Sequence, residues 1–156
     1  MRILGIDPGT GILGFGVIEY SKNSTSLIDA GVIRTPAKED DAVRLKIIFD
    51  ELSEIIATTK PDAMSVEKLF FAQNVTTAMT VAQARGVVLL AGKQAGLDIF
   101  EYTPLQIKQA LTGYGRADKN QIQEMVKVIL KLNEKPKPDD CADALAAAIT
   151  HSMTMR

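Results

Sequence analysis

The chain has 156 residues, 46% hydrophobic and 24% charged, with a formal net charge of −1. That size and balance describe a single globular domain over residues 1–156, and exclude low-complexity and strongly polybasic classes. One cysteine, Cys141, rules out an intramolecular disulfide and a cysteine-based zinc cage, and one histidine, His151, leaves little for a zinc site.

No uninterrupted apolar run reaches the ~18 residues of a membrane span. The opening MRILGID meets an aspartate before a secretory apolar region could form. The expectation is a cytoplasmic protein with no membrane partner. Charge is unevenly spread: from Pro104 to Pro138 seven basic residues face three acidic ones, whereas residues 1–62 carry seven basic and ten acidic. A basic segment beside an acidic pocket lets an enzyme hold a polyanion and still bind metal. Lysines along helices also form ordinary solvated faces.

In chain order, RILGID, LGFGVIEY and SLIDAGVIRT read as strands separated by the turn-formers PGTG and SKNST, an antiparallel meander. From Asp40 to about Ala57, the apolar positions Ala42, Leu45, Ile48, Leu52, Ile55 and Ile56 recur at helical spacing. DAMSVEKL is a short strand, Val75 to Ala95 a long helix rich in small residues, and LDIFEYT a fifth strand. Thr103 and Pro104 supply an N-cap and a first-turn proline for a helix to about Leu111, ended by Gly113 and Gly115. Asp118 caps the next helix, which runs to about Lys131. Pro136 and Pro138 then break the chain before an alanine-rich helix from Asp139 to Ser152. The order βββαβαβααα predicts an α/β fold, a five-stranded mixed sheet with helices on both faces.

Asp7 ends the first strand in phase with Ile3 and Gly5, and Glu67 ends the fourth. In mixed α/β sheets ligand sites gather at strand exits, so the two acids are neighbours if their strands are adjacent and parallel. Asp140 and Asp143 are three residues apart, on one face of the last helix. Ala144, Ala147 and Ala148 give that helix a smooth face with which to approach the sheet. Local alternatives exist for each acid: an aspartate that starts a turn, an exposed strand-end glutamate, and acids favoured by a helix N-terminus.

Magnesium takes oxygen ligands, and four clustered carboxylates suit a two-metal phosphodiesterase. The competing readings are an actin-like phosphotransferase with its phosphate turn at DPGTG, a nuclease for RNA or another branched DNA, and a binding module without catalysis. Phe71 reads as core, and Phe70 as core or as a platform for a splayed base.

The blocks GIDPGTGILGFGVIEY, SVEKLFFAQN, AQARGVVLLA, IKQALTGYGRADKNQIQ and DDCADALAAAITH together resemble the RuvC family of Holliday junction resolvases. The resemblance implies a ribonuclease H-like fold and a homodimer that cuts four-way junction DNA by paired symmetric nicks in homologous recombination and DNA repair. It also implies two Mg2+ ions per active site, replaceable by Mn2+, and a branch-migration complex of RuvA and RuvB type as partner. The family's acidic positions, catalytic and metal-binding, fall on Asp7, Glu67, Asp140 and Asp143. Its DNA-binding positions fall on Lys108, Arg116 and Lys119, and its base-stacking aromatic on Phe70.

Overall fold

A computed structural model describes residues 1–69 and 75–155; Phe70 and Phe71 lie outside the described residues. The first three strands, β1 (Arg2–Asp7), β2 (Ile12–Ser21) and β3 (Ser24–Arg34), form the expected antiparallel meander. Helix α1 (Asp41–Thr59) leads to β4 (Ala63–Glu67), α2 (Val75–Gln94) to β5 (Asp98–Tyr102), and α3 (Pro104–Thr112), α4 (Lys119–Ile129) and α5 (Asp139–Thr154) complete the chain. The sheet order is β3-β2-β1-β4-β5, with β4 parallel to both β1 and β5.

Both sheet faces are covered, so neighbouring strand residues are buried on opposite sides. Leu4 and Ile6 pack with Ile48, Leu52, Val66 and Val88 beneath α1 and α2. Ile3 and Ile18 pack with Leu145, Ile149, Ile122 and Val126 beneath α3, α4 and α5. Each fully buried side chain of this kind contributes roughly 1.5–3 kcal/mol.

The predicted caps of α3 and α4 form as full capping boxes: Thr103 with Gln106, and Asp118 with Gln121. Helix α1 continues past Ala57 to Thr59, where Lys60 takes a left-handed conformation and donates its N–H to the Ile56 carbonyl. Pro61 follows and cannot continue the helix. Helix α2 has no uninterrupted apolar run of membrane-spanning length, although its 20 residues are long and apolar enough by composition to cross a membrane. Its buried residues are Ala84, Val88, Ala91 and Gly92, and its Arg85 pairs with Glu101 of β5.

Helix α5 lies directly on the sheet, and the sheet is carved to receive it. A Cβ on Gly5 would stand 1.9 Å from the Ala144 carbonyl oxygen, one on Gly14 2.0 Å from that of Asp140, and one on Gly16 2.4 Å from Leu145 Cδ2. On the adjoining strand, Ser65 Oγ donates to the Ala147 carbonyl at 2.6 Å. Alanines on the helix and glycines on the strands remove the side-chain layer that normally separates the two. A side chain at Gly5, Gly14 or Gly16 would hold α5 off the sheet.

Candidate active site

Parallel pairing of β1 with β4 matches Ile6 with Val66, so Asp7 and Glu67 stand one residue further along adjacent strands. Gly5 and Ser65, two residues earlier on each strand, both face α5. By the two-residue period of a strand, the two acids emerge on that face as well. Their side chains share a hydrogen bond. Gly14 pairs with Asp7 on the other side and lies under Asp140, which brings the first turn of α5 over the end of β1.

The electrostatics follow from that convergence. The Asp7 carboxyl is pushed up to about 9 from 3.8, first by burial, then by the charge and hydrogen bond of Glu67, then by Asp143 and Asp140. Burial also raises Glu67; its hydrogen bond to Asp7 and the charges of Lys119 and Lys108 oppose the rise, while Asp143 adds to it. Asp143 is raised by burial against the opposing charge of Lys119. Desolvation and like charge thus act together to disfavour the charged forms of Asp7 and Glu67, and Lys119 opposes them.

The lysines converge as well. Lys119 Nζ lies 3.6 Å from Asp143 and 3.4 Å from Asp139. Asp139 is further tied to α4 by Gln123 Nε2 at 2.9 Å. A cleft between α3, α4 and α5 is lined by Glu67, Lys108, Asp118, Lys119 and Asp143. Arg116 is exposed on the turn that leads into α4.

Among the described residues, no three His, Cys, Asp or Glu side chains close into a preformed metal cage. The contact is a carboxyl pair, Asp7 with Glu67, while Asp140 and Asp143 act on Asp7 through charge alone. The donor set nevertheless fits a hard divalent cation. Carboxyls whose charged forms are disfavoured by burial and by one another would be stabilised as anions by a cation, and all four side chains offer the oxygen donors that magnesium prefers.

The glycines beneath α5 had no place in the reading from sequence. Their signal was present as glycine at positions 14 and 16 of a strand, an alternation that leaves one sheet face without side chains.

The family description "Crossover junction endodeoxyribonuclease RuvC" fits residues 3–151. A relative so named from Heliobacterium modesticaldum is 58% identical over 156 residues, covering 99% of this chain and 96% of its own. A solved structure described as Thermus thermophilus RuvC in complex with Holliday junction substrate superposes with a TM-score of 0.95 at 38% identity, covering 100% of this chain and 95% of that one. The yeast mitochondrial resolvase Ydc2, at 14% identity and TM-score 0.70 over 97% of this chain and 77% of that one, shares the fold. With its sheet of ribonuclease H-like order and its match along nearly the whole sequence, the chain belongs to the RuvC family of crossover junction endodeoxyribonucleases.

Proposed function

We propose that this chain resolves four-way DNA junctions, acting as a homodimer in homologous recombination and repair, and that its chemistry is magnesium-assisted hydrolysis of one phosphodiester per protomer. The observation that carries the reading is the convergence of Asp7 and Glu67, one residue beyond the paired Ile6 and Val66 on adjacent parallel strands, beneath the first turn of α5 that carries Asp140 and Asp143.

Asp7, Glu67, Asp140 and Asp143 would hold two magnesium ions, with manganese as a substitute. Bound there, the divalent metal supplies Lewis-acid activation of water and stabilisation of the departing 3′ oxygen. The protein's own contribution is positioning. Asp7 and Glu67 are aimed by adjacent strands, and Asp140 and Asp143 by a helix whose height the glycines of β1 and β2 fix. Lys108 and Lys119 border the cleft, where their charge offsets the phosphate's and orients the strand without reading bases. Lys119 also moderates the charge of Asp143. Arg116 extends the same basic rim, and Phe70 is assigned to stack on an unpaired base at the junction.

A homodimer explains paired symmetric nicks, because a two-fold axis matches two active sites to the two equivalent strands of a junction. A branch-migration complex of RuvA and RuvB type would deliver that substrate. The protein resides with the DNA in the cytoplasm.

The deciding experiment incubates protein and magnesium with a synthetic four-way junction, a linear duplex and an RNA–DNA hybrid. Paired nicks at symmetric positions in the junction alone are expected. Equal cutting of the hybrid would replace junction resolution with a general ribonuclease H activity.

A further inference from the structure

The loop that follows Asp7 is anchored on the side of the sheet away from α5. Thr10 Oγ1 donates to the Thr80 carbonyl of α2 at 2.9 Å, and Thr35 Oγ1 donates to the Thr10 carbonyl at 2.5 Å. The Thr35 backbone N–H donates to the Gly11 carbonyl at 3.0 Å. Arg44, in the first turns of α1, donates its Nε to Thr35 Oγ1 at 2.9 Å. Its Nη2 lies 3.3 Å from the point where a Cβ on Gly11 would stand, so the guanidinium is laid against a loop with no side chain at that position.

Arg44 is half-buried and has no carboxylate partner among the described residues, and unlike the other unpaired cations it is held by a side-chain hydrogen bond, to Thr35. One edge of its planar fork is spent on Thr35 and both terminal nitrogens remain. A partly buried arginine held in one orientation, with free donors and no anion of its own, is prepared for an anion from outside. The position suggests which one. Arg44 and the Gly9–Gly11 loop stand at the same end of the sheet as Asp7 but on the α1 and α2 side, while Lys108 and Lys119 stand on the α5 side. A strand laid across that sheet end, with one phosphate over Asp7, passes the two lysines on one side and Arg44 on the other.

We propose that Arg44 binds a backbone phosphate of the cleaved DNA strand, on the opposite side of the scissile bond from Lys108 and Lys119. This rests on the assignment of the active site to Asp7 and its neighbours. Two cationic grips on either side of the cut fix the direction of the strand, which neither achieves alone. The contact is to phosphate, so it adds affinity and register without base preference.

The test uses four-way junctions carrying a single methylphosphonate at successive positions of the cleaved strand, bound to full-length Asp7→Asn protein with and without Arg44→Ala. Removing the guanidinium should weaken junction binding about tenfold and lower the salt slope by about one. One methylphosphonate position, on a single side of the cut, should weaken the Asp7→Asn protein and have no further effect once Arg44 is alanine. Thr35→Val keeps the arginine and removes only the hydroxyl that orients it. It should give a smaller loss at the same methylphosphonate position, which separates phosphate binding from a folding defect. If Arg44→Ala protein senses every neutral phosphate as strongly as its parent, the contact does not exist. Nicking by the Asp7→Asn protein would instead overturn the active-site assignment, and it is read separately as cut strand.

Discussion

Gly14 lies so close beneath Asp140 that a methyl group on it would stand 2.0 Å from the Asp140 carbonyl oxygen and 3.1 Å from its Cβ. The height of the acid-bearing helix above β1 is therefore set by a residue with no side chain. The placement of Asp140 and Asp143 over Asp7 depends on that absent atom.

Replacing Gly14 with alanine should lift the first turn of α5 and move Asp140 and Asp143 away from Asp7. Overpacking of this kind costs about 1–3 kcal/mol. Nicking should fall at least tenfold and demand more magnesium, while junction binding changes little. Gly86→Ala is the control, since a Cβ there meets nothing within 4 Å. That substitution should raise stability by about 0.5–1 kcal/mol through helix propensity. Thermal melts beside magnesium titrations of nicking check both. A Gly14→Ala protein with native magnesium dependence would refute the positioning role.

Asp7→Asn should abolish nicking and leave junction binding intact, because it removes an oxygen donor and keeps the basic rim. The same change should raise the melting temperature of metal-free protein. Burial and Glu67 hold the Asp7 carboxyl near 9, so its charged form is destabilised in the fold, and the neutral amide is not. Gel-shift, cleavage and melting measurements on one preparation distinguish these effects.

Lys119→Ala should weaken binding and reduce the salt slope by about one. It also removes the cation that lies 3.6 Å from Asp143. The charge of Lys119 lowers the Asp143 carboxyl, so without it Asp143 should titrate higher and nicking should shift to more alkaline pH. A pH–rate profile at saturating junction checks the shift. An unmoved profile would mean that Asp143 is not held in its working state by Lys119.

His151 supplies a pH effect away from the carboxylates. Its ring is 2% exposed, bonded through Nδ1 to Tyr102 Oη at 2.7 Å and stacked on Phe100 at a centroid distance of 4.0 Å. Its Nε2 is buried with no partner among the described residues. Burial lowers its pKa from 6.5. As pH falls below 6.5 the unfolded chain takes up the proton before the native one does, so stability is lost on acidification and is unaffected above that point. His151→Phe keeps the stack and cannot titrate. Its melting temperature should fall less on acidification below pH 6.5 than that of the unaltered protein, and parallel curves would sink the assignment.

The strand alternation, the caps at Thr103 and Asp118 and the alanine face of α5 were legible because each is a local preference, written within a few residues. Asp7, Glu67, Asp140 and Asp143 were legible as candidates for the same reason: each stands at a strand exit or a helix start. Their common location was not local. It required β4 to pair parallel with β1 rather than elsewhere in the sheet, and α5 to cross at contact distance over Gly5, Gly14 and Gly16. The anchoring of the Asp7 loop by Thr10, Thr35, Thr80 and Arg44 joins four separate stretches of chain, and no spacing in the sequence announces it. Sequence by itself determined which elements form and which side chains carry charge. Tertiary packing alone decided that the charges of one sign meet, because repulsion between buried carboxylates is tolerated only where the rest of the core holds them together.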